Sequence, residues 1–533
     1  MRFRFGLIGG AIRAGSSARP GCVPFRLPHR AAVLGRQPCC PGQTANCSAN
    51  VQGSNSVTGF IPGMNSGFFA EVLCKARRLI VRGQAISAQP TQKNQKTSHL
   101  RKRQAGIIHH VYRDAGRQAK DRHSDRQAMS NRTKLYDNPS AMEPLLPPTA
   151  QLEDLALDLV REAGRLAGHL HPITRRSVAQ ILRIANSYYS NLIEGHNSHP
   201  YDIERAMLGD YDEDPAKRAL QVEGLAHIEV QGLIDRKLDA EPDTNIAAPE
   251  FLCWIHEEFY KRLPDDFRWV TNRDRTRRIE VIPGRFRDDE VTVGEHVAPH
   301  YRALDRFMTR FAEAYDPSRL HGVERIIAAA ASHHRLLWIH PFFDGNGRVA
   351  RLFTYAYLRI AQIDGDGLWS ASRGFARARR EYFDRLADAD SQRWDDYDGR
   401  GNLSERALVR FCEFFLRTCL DQVRYMGGLL ELDNLGDRIM NYAELRARGL
   451  TNEPKLKSEA GFILREVMLR GEIERGEAAR ITGLSERSAR YILSQLLEER
   501  LLESDSPKGR VRMGFPAHAI GYLFPKLYPE RVE

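Results

Sequence analysis

The sequence predicts a mainly α-helical protein. A helical core is broken by one short β-hairpin, followed by a smaller unit of helices and strands, and preceded by a disordered extension. Three observations predict it. Apolar residues recur at helical spacing through most of residues 151–430. Strand-like alternation is confined to a stretch around residues 279–293. Charge is lopsided: residues 1–128 hold 21 Lys+Arg against 4 Asp+Glu, a balance of +17, which leaves 58 against 64, or −6, for the rest of the +11 chain.

The basic first quarter lacks periodicity and is rich in Gly, Ser, Gln and Arg, so it is expected to be disordered. The sequence pI of 9.3 is therefore no argument that the rest of the chain binds nucleic acid. Cys22, Cys39, Cys40, Cys47 and Cys74 fall here, and Cys39, Cys40 and Cys47 lack a second pair at zinc-ligand spacing. Cys253, Cys412 and Cys419 sit in apolar helical contexts, which fits a reducing, cytoplasmic compartment. The opening apolar stretch is short and glycine-broken and lacks a cleavage site, and no run reaches the length of a membrane span. Arg101-Lys102-Arg103 reads as a solvated charge run. Composition changes near Met129, and the biological start is expected at Met129 or Met142. The expected division is a disordered extension and linker at 1–150, a helical region at 151–275, a core at 276–430 and a distinct unit at 455–533.

The linker passes Asn138-Pro139 and Pro144 to Pro148. Leu152, Leu155, Leu159, Ala163 and Leu166 mark a first helix, and Pro172 breaks it. Val178, Ile181, Leu182 and Ala185 mark a second over 175–193. At its end Ser190 and Glu194, four apart, share one face, and Gly195 suits a left-handed stop. Residues 201–262 read as packing helices, the last entered through Pro249. Ile279, Val281, Val291 and Val293 predict two strands, with Ile282, Pro283, Gly284 and Arg285 at the turn between them. Helices follow at 301–319 and 322–339, where His333 and His334 read as packing or surface histidines. A helix over 374–389 carries Tyr382, and one over 403–426 closes the core.

The stretch that organises the chain is His340-Pro-Phe-Phe-Asp-Gly-Asn-Gly-Arg-Val-Ala-Arg351. His340 is a candidate general base. Asp344 offers the hard oxygen that Mg²⁺ prefers. Gly345, Asn346 and Gly347 can turn backbone N–H groups inward as an anion nest, with a helix N-terminus behind it. Arg348 and Arg351, three apart, project from that helix's first turn and suit a ligand with more than one phosphate.

This stretch resembles the signature of the Fic family, His-Pro-Phe-x-Asp/Glu-Gly-Asn-Gly-Arg-x-x-Arg, at every fixed position. The resemblance spans about residues 152–426. It implies a helical core that transfers AMP from ATP to a Ser, Thr or Tyr hydroxyl of a protein. It implies that His340 deprotonates the target, Asp344 holds Mg²⁺, and Asn346 with Gly345 and Gly347 binds the α-phosphate. Arg348 would take the β-phosphate and Arg351 the γ-phosphate. Doc-type relatives, which phosphorylate, alter the Gly-Asn-Gly-Arg segment that is intact here. Ser190, Glu194 and Gly195 match the family's inhibitory pattern, Ser/Thr-x-x-x-Glu-Gly/Asn, so Glu194 is expected to pair with Arg351 in place of the γ-phosphate. Tyr382 is the candidate for the adenine. The hairpin at 282–285 resembles the family's target-docking flap, which receives an extended segment by strand addition.

Residues 455–533 resemble a winged helix–turn–helix, with Ser485 as N-cap of the second helix. Arg487 and Arg490 on that helix, with Lys508 and Arg510 on the wing, are the candidate DNA contacts. Glu486, Glu498 and Glu499 dilute that face, and a protein-docking role is the alternative. Two further readings compete with AMP transfer. One is removal of AMP with Glu194 orienting a water. The other is a DNA-binding regulator whose core senses ATP. An oligomeric state is left open.

Overall fold

Prolines and capping side chains set where most helices of the N-terminal half begin. The computed structural model describes residues 137–271 and 276–528. The predicted extension, with its cysteines and the Arg101-Lys102-Arg103 run, lies outside the described residues. α1 (Glu153–Ala167) is followed by α2 (Pro172–Ile193), α3 (Pro200–Met207), α4 (Pro215–Ala240) and α5 (Pro249–Tyr260). Each of the last four starts on proline, whose missing N–H costs nothing in a first turn. The side chain of His171 accepts from Ile173 N at 3.3 Å, so α2 begins at Pro172, ahead of the expected Arg175.

The strands depart from expectation. β1 (Trp269–Thr271) pairs antiparallel with β2 (Arg278–Glu280), and β3 (Thr292–Val293) with β4 (His296–Val297). The predicted pairing of 279–281 with 291–293 across Pro283-Gly284 does not form. Ile279 and Val293 pair within the two separate hairpins instead, and Val281 is 1% exposed and drawn into the core. The Pro283-Gly284 turn lies against α5, where Gly284 N donates to His256 Nδ1 at 2.9 Å. Gly284 has φ +75°, and a Cβ there would meet Glu257 Cβ at 2.9 Å. Residues 282–285 are thus anchored to the body between two small hairpins and are not a free hairpin tip.

The core follows in α6 (Leu304–Tyr315), α7 (Gly322–Ile339), α8 (Asn346–Ile360), α9 (Ala371–Arg377), α10 (Arg379–Ala389) and α11 (Glu405–Leu430). α11 runs along α1 and packs on α7 and α10, α7 packs on α6 and α8, and α2 packs on α4 and α9. Residues 137–148, expected as part of a loose linker, are packed on this core. Met142 is fully buried, the Glu143 carbonyl accepts from Leu403 N at 2.8 Å, and the Pro144 carbonyl accepts from Arg335 Nη2 at 2.9 Å.

α12 (Leu432–Arg448) was not anticipated from the sequence. Beyond it come α13 (Ala460–Arg470), β5 (Glu472–Ile473), α14 (Ala478–Thr482), α15 (Glu486–Glu498), β6 (Leu502–Glu503), β7 (Val511–Met513) and α16 (Ala517–Leu523). Gly483, at φ +70°, makes the turn between α14 and α15, and Ser485 caps α15 through Ser488 N at 3.4 Å. The three strands form one antiparallel sheet in the order β5-β7-β6. These elements dock on the core. Thr174 Oγ1 donates to the Met468 carbonyl at 2.8 Å, the Tyr189 hydroxyl to the Leu527 carbonyl at 3.0 Å, and Ala517 N to Glu204 Oε2 at 2.7 Å.

Buried histidines give the fold a pH signature. Burial pushes His227, His256 and His333 down to about 3, from an ordinary value of 6.5. The unfolded chain therefore binds more protons than the folded chain between those values, and stability rises with pH across that window. Asp364, pushed up to about 6 by burial, works in the opposite sense, but it is one group against these three and His340. The melting temperature is expected to fall steadily as pH is lowered below about 6.5. A calorimetric melting temperature that is flat from pH 7 to 5 would contradict this.

Candidate active site

α7 ends at Ile339, and the next residue turns the chain sharply. His340 is in the left-handed region, φ 51° and ψ 60°, as the cap of that helix. Its Nδ1 lies 3.3 Å from the Leu337 carbonyl, so Nδ1 carries the proton and Nε2 is left as the acceptor. Burial, then the nearby His296 and Arg287, pushes the imidazole down to about 3, so it is neutral near pH 7 and able to take a proton. Arg287 braces the turn. It is 2% exposed, its Nε donates to the His340 carbonyl at 2.9 Å, and its backbone N donates to the Pro341 carbonyl at 2.9 Å. Its Nη2 reaches the Pro299 carbonyl beyond β4, so Arg287 joins the segment between the hairpins and the chain after the second one to the motif.

The loop then enters α8 through Gly345, at φ +79°. A Cβ at Gly345 would stand 2.6 Å from Tyr260 Cε2. Gly345→Ala is therefore expected to cost about 1–3 kcal/mol of stability, read as a lower midpoint in urea. Tyr260 is a site residue that carries no sequence signal. It is buried on α5, and its hydroxyl donates to Asp344 Oδ2 at 2.8 Å. Asp344 keeps its side chain 43% exposed, facing the cleft. One carboxylate with a free oxygen suits Mg²⁺ brought in with a nucleotide, because that ion takes one or two carboxylates, water and substrate phosphates.

Asn346 differs from its expected role. Its Oδ1 accepts from Phe342 N at 3.0 Å and its Nδ2 donates to the Phe342 carbonyl at 2.8 Å. The side chain is committed to closing the loop, which leaves the backbone of the glycine-flanked turn to face an anion. Tyr382 differs too. Its ring stacks on Phe375 with centroids 4.9 Å apart, its hydroxyl meets His333 Nε2 at 2.7 Å, and it is 1% exposed. It packs the core between α7, α9 and α10. His333 also meets Thr354 Oγ1 at 2.7 Å, as a packing histidine would.

Both motif arginines are buried, and carboxylates hold both. Arg351 donates through Nε to Ser190 Oγ at 2.8 Å and through Nη2 to Glu194 Oε1 at 2.6 Å. Burial works against the charge of Glu194, but Arg351 and then Arg348 outweigh it and hold the carboxyl below its ordinary value. The carboxylate lies over the first turn of α8, where the helix dipole favours an anion. A methyl group at Gly347 would collide with Glu194 Oε1. The space over Gly347 is therefore an anion position, and Glu194 fills it. Arg348 Nη2 contacts Glu223 Oε1 at 2.5 Å, while its Nε is buried with no hydrogen-bond partner. Glu223 Oε2 in turn lies 2.6 Å from His196 Nδ1. Glu223 and His196 are site residues the sequence reading missed. The available signal was Glu223 and His227, four apart on the buried stripe of α4.

The candidate DNA contacts lie apart from this cleft. Arg490 pairs with Glu486 at 2.5 Å, and Arg510 with Glu472 at 2.8 Å and Glu474 at 3.2 Å. Arg487 and Lys508 are exposed. Arg285 pairs with Asp288 at 3.1 Å on the surface. Among the described residues no helix is long and apolar enough to cross a membrane.

Residues 246–358 match the family model described as Fic/DOC family. A protein of Nematostella vectensis named protein adenylyltransferase Fic is 31% identical over 245 residues, 44% of this chain and 50% of that protein. A protein of the same name from Drosophila grimshawi is 41% identical over 78 residues, 15% of this chain and 16% of that protein. The chain thus spans half the length of the first of these relatives, and much less of the second. Among solved structures, a Fic family protein from Desulfovibrio desulfuricans G20 is 20% identical, with 67% of this chain and 95% of that one covered and a TM-score of 0.39. Residues 134–508 of Fic-1 from C. elegans are 14% identical, with 63% and 85% covered and a TM-score of 0.38.

Proposed function

We propose, on the premise that residues 246–358 are a Fic domain, that this protein is an auto-inhibited adenylyltransferase. It transfers AMP from Mg·ATP to a Ser, Thr or Tyr hydroxyl of a protein. The observation that carries this reading is the anion position over Gly347, lined by the first turn of α8 and by Arg351, and filled by the Glu194 carboxylate. A phosphate chain laid over the α8 N-terminus meets backbone N–H groups at Gly345 to Gly347, the buried Nε of Arg348 and, once Glu194 leaves, Arg351.

Nε2 of His340 accepts the target's hydroxyl proton as its oxygen attacks the α-phosphorus in line, and pyrophosphate departs with the bond to the β-phosphate oxygen. Asp344 would hold Mg²⁺, which neutralises charge on the phosphates when bound. The chain's own contribution is orientation and fixed charge, which dominate phosphoryl-type transfer. The segment between the hairpins, tied to His340 by Arg287, is the proposed seat for the target. The reading as an ATP-sensing DNA-binding regulator draws less support, since Arg490 and Arg510 are already paired with acidic neighbours.

The test is incubation of the full chain with α-labelled ATP and Mg²⁺, with and without cell lysate. Covalent label on protein with release of pyrophosphate is the expected result. Because Glu194 blocks the parent's site, Glu194→Gly is run beside it; label from γ-labelled ATP instead, or from neither in Glu194→Gly, would overturn the reading.

A further inference from the structure

α2 ends in a tight left-handed turn. Gly195 has φ +89°, its N–H bonds the Leu192 carbonyl at 3.0 Å, and His196 N bonds the Asn191 carbonyl at 2.9 Å. This double closure makes the turn a rigid unit. Two side chains leave it on either side of the glycine. Glu194 goes to Arg351 at 2.6 Å. His196 goes to Glu223, whose other oxygen holds Arg348 at 2.5 Å. One turn is thereby fastened, on separate lines, to both arginines of the phosphate site.

The second line is a strong one. At 2.6 Å from a carboxylate, His196 Nδ1 carries the proton and donates. The 3.3 Å approach of Arg348 Nη2 to the same nitrogen is then proximity, not a hydrogen bond. Glu223 is fully buried, and Arg348 with His196 holds its carboxyl below the ordinary value against the effect of burial. The Phe267 ring stands edge-on to the imidazole, centroids 6.3 Å apart, which limits its swing. Glu223 sits behind Arg348 on α4, an element separate from the turn, so it stays in place when the turn moves.

We propose that His196 is a second latch of the inhibitory turn, a positioning residue that keeps Glu194 seated by its bond to Glu223. Glu194 cannot leave Arg351 by a movement of the turn unless His196 also leaves Glu223. The proposal rests on the reading of Glu194 as an occupant of the nucleotide site, and it adds a residue outside the Ser190–Gly195 pattern. Losing one charge-assisted hydrogen bond from the closed state is expected to shift the balance about tenfold toward the open state.

The experiment measures ATP affinity by calorimetry and AMP transfer with α-labelled ATP, on the full chain. His196→Ala is expected to tighten ATP binding and raise transfer about tenfold. His196→Asn, which keeps a donor at a similar reach, is expected to match the parent. In a Glu194→Gly background His196→Ala is expected to add nothing, because there is no carboxylate left to seat. Unchanged affinity in His196→Ala would overturn the proposal. So would an equal gain on top of Glu194→Gly, or a loss in both backgrounds, since either places the effect on Arg348 itself. The His196→Asn variant and a melting curve separate latch release from loss of folding. If Glu194→Gly binds ATP more tightly yet labels no protein, the transfer reading falls and the latch is still decided by affinity.

Discussion

Glu194→Gly is expected to raise labelling by α-labelled ATP on the order of 100-fold over the parent. The magnitude follows from the contact removed: a charge-assisted hydrogen bond contributes about 1.5–3 kcal/mol, and about 1.4 kcal/mol is tenfold. In the proposed mechanism the carboxylate and a γ-phosphate would compete for the same guanidinium, which Ser190 holds in place from the other side. The substitution also leaves Arg351, 3% exposed, without its counter-charge. Without nucleotide the variant should therefore melt below the parent, and added Mg·ATP should raise its melting temperature more than the parent's. Equal labelling by parent and variant would show that Glu194 is a structural partner of Arg351 and no brake.

His340→Ala, placed in the Glu194→Gly background, is expected to lower the labelling about 10²–10⁴-fold while ATP binding persists. As the proposed base, His340 would act in its neutral form. Because burial, then His296 and Arg287, push that imidazole down to about 3, it is lost as a base only when pH falls toward that value. The rate of Glu194→Gly should accordingly show no inflection between pH 7 and 5 from this group, in contrast to an exposed histidine titrating near 6.5. An inflection near pH 6.5 that vanishes in His340→Ala would mean the imidazole opens to solvent when the site is active.

The motif was legible because its chemistry is local. A base, a carboxylate, a nest and two arginines within twelve residues keep their mutual geometry through one turn and one helix start. Ser190 and Glu194 were legible for the same reason, lying on one face of one helix. What the sequence withheld is tertiary. Asn346 looks like a phosphate ligand, yet its amide closes its own loop on Phe342, and nothing local separates those uses. Tyr382 reads equally well as a base platform or as core, and the packing of Phe375 and His333 decides it. The alternation at 279–293 was real, but Ile279 and Val293 pair within two separate hairpins rather than with each other, and Val281 is buried in the core. Tyr260 and Glu223 lie on helices with several other polar residues, and only the folded approach of the motif loop and α8 shows which of those polar groups meet Asp344 and Arg348.

The helix that ends in Glu194 belongs to two packing surfaces. One residue before Ser190, the Tyr189 hydroxyl is capped by the Leu527 carbonyl, and the Tyr528 hydroxyl reaches back to the Ile181 carbonyl at 3.3 Å. Arg373, from α9, donates to the Lys526 carbonyl at 2.7 Å. α2 therefore cannot complete its burial until the C-terminal segment has been made and laid down. During synthesis the motif and its carboxylate partner emerge long before the segment that clamps their helix. The nascent chain would pass through a stage in which the inhibitory turn is its least restrained part. Recombination that exchanges the C-terminal unit between such proteins would have to carry a matching α2 surface with it.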